Sequence, residues 1–391
     1  MVTTALALSD LKTQLGRLFE FPATGKVFIG FDGFVDKIKK AVREKQNTRT
    51  TYFDNIRDFS GRILAASGSS GQIQMDIQRV KLGGNGPILS DTFGKVGVKS
   101  CCLGCMGYPV KHPVFSRMNP ACELISVLDP GLSDAVEFSD GKIIFSELEI
   151  FEKYDWNYIK RIAGIGNIQM RIGESALVAF VDWANLPHAS NIWQGVLEEV
   201  IKPSKRRDFL FLFDLCDPSR KTTQQIDEVL DLISAFSPFG NVTLGLNENE
   251  TLKIWCAISG VDFQQIESSD KIHVRDAGDT LYKSMNIDAL LIHPIDRTIL
   301  YLKHETVELQ GRLVTQPKVL TGGGDNLNAG YCLGLLSGFS VSQCMLLGMA
   351  ASGSYIENGS SPDLKAIIDY IDLWMAEIDD KTTAGPKPVL K

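Results

Sequence analysis

Phe209-Leu210-Phe211-Leu212-Phe213 runs without a polar side chain and stops on Asp214. Similar apolar bursts occur at Lys26 to Phe34, Ala176 to Val181, Val242 to Leu246 and Ala289 to Ile292. Several close on a polar residue: Asp182, Asp214, Asn247 and His293. Continuous apolar runs separated by helix-length segments read as parallel strands buried on both faces. The fold class is therefore α/β, a large, mostly parallel sheet with helices on both faces. Ligands of such sheets bind outside the carboxyl ends of the strands, so the polar residues closing each run are the first candidates for function.

Outward from these runs, Leu11, Leu15 and Leu18 share a helical face, predicting a short opening helix with Ser9 or Asp10 as N-cap. Residues 38–80 are polar and contain Ser67-Gly68-Ser69-Ser70-Gly71, which reads as a mobile loop. Ala135 to Phe138 and Lys142 to Phe145 flank Ser139-Asp140-Gly141, a hairpin signal. A hairpin inserted in a parallel fold serves as a flap or as surface decoration. Ser361-Pro362 opens a helix that carries Leu364, Ile367, Ile368 and Ile371 on one face. The tail 379–391, with Gly385-Pro386-Lys387-Pro388, is expected to be poorly ordered.

Length and composition set limits. The 391 residues allow two to three domains or one large α/β domain. Lys plus Arg is 40 against 47 Asp plus Glu, a net charge of −7. That balance argues against nucleic-acid binding, which needs a basic face to replace counterions. No apolar run approaches the about 18 residues that would suggest a membrane helix, and Met1 to Asp10 lacks the features of a signal peptide. Neither a nucleic-acid nor a membrane partner is expected, and the compartment expected is the cytoplasm. Of the eight Cys, most lie in apolar runs and read as buried thiols; Cys102 and Cys105 have no second pair or nearby His to complete a zinc site.

Three clusters could carry chemistry. In Thr321-Gly322-Gly323-Gly324-Asp325-Asn326, glycines precede a helical segment, so backbone amides can converge on an anion. A carboxylate there would repel a resting phosphate, but it is placed to take a proton from a hydroxyl that attacks one. The competing reading is a glycine loop with Asp325 as N-cap. Leu82-Gly83-Gly84-Asn85-Gly86-Pro87 allows close backbone approach before a second helix, and Asn85 offers a donor and an acceptor to a polyol. Asn247 and Glu250, after a buried strand, are spaced to face one way on a helical turn and could hold waters around Mg²⁺, or simply form a capping box. The chain has no G-x-x-x-x-G-K-[ST] loop, and Gly164-Ile165-Gly166 lacks the third glycine of a dinucleotide fingerprint.

Together these clusters resemble the ribokinase-like, PfkB-type carbohydrate kinases. Gly322-Gly323-Gly324-Asp325 is similar to that family's G-A-G-D signature, Asn247 to Glu250 to its N-x-x-E motif, and Gly83-Gly84-Asn85-Gly86 to its sugar-binding turn. Asp217-Pro218-Ser219-Arg220 is similar to its D-P-N-x-R segment, and the 135–145 hairpin to its β lid. The pieces follow in the family's order from about residue 26 to 375. The resemblance implies Asp325 as catalytic base, with the amides of Gly322, Gly323 and Gly324 as anion hole. It implies Asp32 or Asp36, with Gly84 and Asn85, at the substrate. It also implies Asn247, Asn358 and Gly359 at the nucleotide, with Asn247 and Glu250 holding the metal through water; Arg297, outside the family's pattern, is the candidate to supply charge beside the nucleotide.

The sequence departs from the family at Val319-Leu320, where D-T is usual, and at Leu327, where an aromatic is usual. It departs again at Ile292-His293-Pro294-Ile295-Asp296-Arg297, where T-x-G-x-x-G lines the phosphates. The function expected from the resemblance is transfer of a phosphoryl group from ATP, with Mg²⁺, to a hydroxyl of a small sugar or polyol. A non-catalytic sugar- or nucleotide-binding member and a nucleoside or vitamin-alcohol kinase remain open; Phe31 and Phe34 could serve the latter as a stacking platform. Because these residues span the chain, the reading narrows to one large domain with lid insertions near 38–80 and 108–150. Homodimers joined through the lid are common in the resembled family.

Overall fold

The computed structural model describes residues 2–47, 49–263, 273–319 and 321–383. Its larger sheet has nine strands in the order β14-β13-β12-β11-β10-β9-β1-β5-β6. In chain order these are β1 (Lys26–Gly30), β5 (Ser100–Gly104), β6 (Cys122–Ser126), β9 (Ser175–Phe180), β10 (Phe209–Asp214), β11 (Gly240–Asn247), β12 (Ala289–His293), β13 (Arg297–Leu302) and β14 (Thr306–Gln310). All pairs from β6 to β12 are parallel, and β13 and β14 continue the sheet antiparallel.

The unbroken apolar runs have a direct cause: both faces of this sheet are covered. On β9, Val178 and Phe180 enter one core while Leu177 and Ala179 enter the other. On β10, Phe211 and Phe213 face the first and Leu212 the second. Phe180 and Phe213 stack with ring centres 4.9 Å apart on neighbouring strands. Each such side chain, removed from water, contributes roughly 1.5–3 kcal/mol, so no strand position between the ends can be polar without loss. The polar residues are left for the carboxyl ends, and there they gather.

A second, five-stranded sheet stands apart, in the order β3-β2-β7-β8 with β4 also on β2. It comprises β2 (Phe34–Gln46), β3 (Arg49–Tyr52), β4 (Met75–Gly83), β7 (Gly131–Phe138) and β8 (Gly141–Glu147). The 135–145 hairpin is present, with Phe138 paired to Gly141 across Ser139-Asp140. Residues 38–80 correct the expectation of a loop: they form most of β2, all of β3, the helix Ile56–Leu64 and most of β4. The Ser67–Gly71 run is only the turn before β4. Polar residues mislead here because Phe53, Phe59, Val136 and Phe138 make a small core of their own beneath exposed strands.

The opening helix also differs from expectation. It runs Val2–Leu18, with Ser9 and Asp10 inside it, because Leu8 as well as Leu11 and Leu15 is buried. The last helix, Leu364–Thr383, takes its cap from Asp363, whose carboxylate accepts the Ala366 amide at 2.8 Å, rather than from Ser361. It therefore covers the first residues of the expected tail, and 384–391 lie outside the described residues. All eight Cys are free thiols. Among the described residues no helix is long and apolar enough to cross a membrane.

Candidate active site

Four carboxylates from distant parts of the chain converge at the carboxyl edge of the larger sheet. Asp32 follows β1, Asp182 follows β9, Asp214 ends β10, and Asp325 lies in the first turn of the helix Gly323–Leu336. All four are buried.

Asp32 is wholly enclosed. Its Oδ1 accepts the Gly86 amide at 2.8 Å, at the start of the helix Asn85–Lys95. The approach needs glycine: Gly84 has φ +89°, and a Cβ on it would lie 2.5 Å from Asp32 Oδ2. Oδ2 itself has no donor. What stands beside it is another carboxyl, Asp182, whose own Oδ1 accepts from Asn185 Nδ2 at 2.6 Å. Burial pushes Asp32 up to about 7, and burial with repulsion from Asp32 holds Asp182 well above the usual carboxylate range. The pair keeps a proton near neutral pH.

Asp214 accepts from Asn328 Nδ2 at 2.8 Å and from the Cys216 amide at 3.1 Å. Asn328 sits on the helix that carries Asp325, so this bond ties that helix to the sheet. The helix starts from Gly322 at φ +90°, where a Cβ would lie 2.8 Å from the Tyr355 hydroxyl oxygen. That hydroxyl donates to Thr321 O at 2.7 Å and closes the turn from below. The first helical bond is Asn326 N–H to Gly322 O at 3.2 Å, so the amides before it face outward, as at any helix start. Burial, then repulsion from Asp214, Asp32 and Asp182, raises Asp325 well above its ordinary value, and Lys81 opposes the rise.

Asn247 and Glu250 form a capping box, each backbone amide held by the other's side chain at 2.9 Å. Glu250 is buried, and burial with the nearby Asp214 lifts it to about 8. Among the described residues no group of three or more His, Cys, Asp or Glu is arranged to hold a metal ion directly.

Between the two sheets lies a cavity of about 370 Å³, bordered by Asp36, Gly84, Asn85, Asp182, Asn185 and Arg220, a size within the usual ligand range. Of the two acids that the sequence left unresolved, Asp36 borders this cavity and Asp32 lies sealed beneath it. Asp36 is on β2, 3.9 Å from Lys81 on β4, and burial pushes it up to about 6 against the pull of Lys81 and Lys142.

The remaining candidates are dispersed. Arg297 is paired with Asp296 at 2.9 Å and Glu308 at 3.4 Å. Asn358 borders the groove between its own helix and the last one, and Gly359 borders a different cavity. Phe31 is packed against Phe28 and Phe180 in the core, whereas Phe34, edge-on to Phe151, also borders the cavity between the sheets. Sequence reasoning assigned no role to Asp182, Asp214, His293 or Lys81. The first three carried a signal, a polar residue closing an apolar run; Lys81 carried none. His293 packs against Gly324, with its Cε1 3.3 Å from where a Cβ would stand, and burial lowers it to about 4, keeping the ring neutral.

A family model described as prokaryotic ketohexokinase matches residues 2–374. A ketohexokinase of Haloferax volcanii is 25% identical over 358 residues, which are 89% of this chain and 93% of that protein. Among solved structures, ribokinase from Thermotoga maritima superposes with a TM-score of 0.60 at 14% identity, covering 89% of this chain and 99% of its own. Arabidopsis thaliana ribokinase complexed with ribose and ATP gives 0.59 at 14% identity, with 89% and 99% covered. A putative ribokinase II from E. coli in complex with ATP and Mg²⁺ gives 0.59 at 12% identity, with 90% and 100% covered. At such identities the solved structures speak to the fold alone.

Proposed function

The chain belongs to the prokaryotic ketohexokinase family and is a carbohydrate kinase of ribokinase-like fold, and from that premise we propose that it transfers the γ-phosphoryl group of ATP to a hydroxyl of a ketohexose, with Asp325 as the base. The observation that carries this reading is the position of Asp325: a buried carboxylate with raised proton affinity, one residue beyond the glycines whose amides open the helix. A carboxylate so placed draws the proton from an attacking hydroxyl, and the amides of Gly322, Gly323 and Gly324 take up charge on the transferring group.

The cavity between the sheets would seat the sugar, with Asp36, Asn85, Asp182 and Asn185 bonding its hydroxyls. The smaller sheet would act as the lid that keeps water from the site. Glu250 fits a cation: it is buried, and Asp214 and Asp217 raise its proton affinity against the pull of Lys253. Mg²⁺, held through water by Asn247 and Glu250, would supply positive charge against the phosphates of ATP. The nucleotide-side roles of Arg297, Asn358 and Gly359 form no part of this reading, since Arg297 is already matched by two acids and the other two border separate spaces.

Asp325→Asn keeps the shape and removes the base. It should lower kcat by about 10²–10⁴ while leaving the circular dichroism and sugar affinity near those of the parent. Parent-like turnover in that variant would sink the assignment.

A further inference from the structure

Residues 79–82 of β4 line another hollow, of about 280 Å³, which shares no lining residue with the sugar cavity. Its walls carry Arg79, Lys81, Lys95 and Arg117 against a single acid, Asp91. That is a concentration of positive charge on a chain whose net charge is −7. Lys95 is matched by Asp91 at 3.0 Å, and Asp91 also accepts the Asn119 amide at 2.8 Å. Lys81 reaches Asp36 only at 3.9 Å. Among the described residues, Arg79 and Arg117 have no ion pair. Their charges are left facing the hollow.

Cations gathered this way oppose one another. Arg79 weakens the hold of Lys81 on its own proton, as does burial. An anion in the hollow would relieve both effects. The floor is apolar, from Val80, Leu82, Ile88 and Val114, and the Ser360 and Ser361 hydroxyls stand at the edge. Guanidinium groups are suited to bind phosphate through two parallel hydrogen bonds. The space is small for a nucleoside triphosphate and adequate for one phosphate on a short carbon skeleton. It is also jointly built: Arg79 and Lys81 come from the smaller sheet, Lys95 and Arg117 from the body.

We propose that this hollow is a second anion site, separate from the sugar cavity, which binds a small phosphate-bearing metabolite between the smaller sheet and the body. The inference does not rest on the role given to Asp325.

The test uses the full chain and inorganic phosphate, titrated calorimetrically at 0.15 M ionic strength. There, charges in open solvent are screened beyond about 8 Å, so a scatter of surface cations holds little. Saturable binding of one phosphate is expected. Arg117→Ala and Arg79→Ala should each weaken it about tenfold or more, the loss expected for a charge-assisted contact. Asp325→Asn should bind as the parent does, and Arg117→Ala should keep parental kcat and KM when phosphate is absent. Equal binding by the parent and both arginine variants would overturn the proposal. So would no binding at tens of millimolar phosphate, or displacement of the phosphate by saturating ATP, which would place the anion at the Gly322–Gly324 turn instead.

Discussion

Replacing Asp32 by Asn should stabilise the fold at pH 8. The carboxyl is wholly buried and rises from 3.8 to about 7 on folding. A group raised in this way takes up a proton when the chain folds. Below about pH 4 both states are neutral and it costs nothing; the cost grows as pH rises and levels off above about 7, where both states are ionised. A gap of about three units at about 1.36 kcal/mol each makes ionised Asp32 a burden on the order of 4 kcal/mol. Asparagine has no such charge. Its Oδ1 can accept the Gly86 amide as the carboxylate does at 2.8 Å, and its Nδ2 can donate to Asp182. An unfolding entropy of about 2.1 cal/mol/K per residue, over 391 residues, converts that energy into about 5 °C. Thermal scans should therefore place the midpoint of Asp32→Asn about 5 °C above the parent at pH 8, with the difference narrowing steadily toward pH 5. A variant less stable than the parent at pH 8, or one whose advantage is the same at pH 5 and pH 8, would refute the reasoning.

Two further outcomes follow from the same electrostatics. Lys81 lowers the proton affinity of both Asp36 and Asp325, so Lys81→Met should move the acid limb of the kcat/KM profile to higher pH, on the order of one unit; a limb that stays or moves down contradicts the assignment of Asp325 as a base that must be ionised. Glu250 sits at about 8, so the Mg²⁺ concentration needed for half-maximal activity should fall in the parent as pH rises through 8 and stay level in Glu250→Gln. A pH dependence shared by both proteins would remove Glu250 from the metal's surroundings.

Each part of the site that was legible in the sequence lies within one short stretch. Glycines before Asp325, Gly84-Asn85-Gly86 before a helix, and Asn247 three residues ahead of Glu250 are contacts made within a turn, and local geometry decides them. The apolar runs were equally legible, because a strand covered on both faces has no position to spare for a polar side chain. The smaller sheet was less so: β2, β3 and β4 are largely polar because much of their surface meets water, and only their pairing to one another makes them a sheet.

Sequence alone therefore determined the α/β class, the edge of the sheet where function gathers, and the helix that presents Asp325. Tertiary structure decided which polar residues meet. Asp32 and Gly86 are 54 positions apart and Asp214 and Asn328 are 114 apart, and only the strand order brings β1, β9 and β10 side by side. The same packing paired Arg297 with Glu308 through the β13–β14 register, turned Asn358 toward another groove, and gathered four bases around a hollow. Burial and neighbouring charge set the proton affinities in this site, and both are properties of assembled space: the Asp32 carboxyl, at 3.8 in the unfolded chain, reaches about 7 only once the sheet has removed its water, a rise that the Gly86 amide partly offsets.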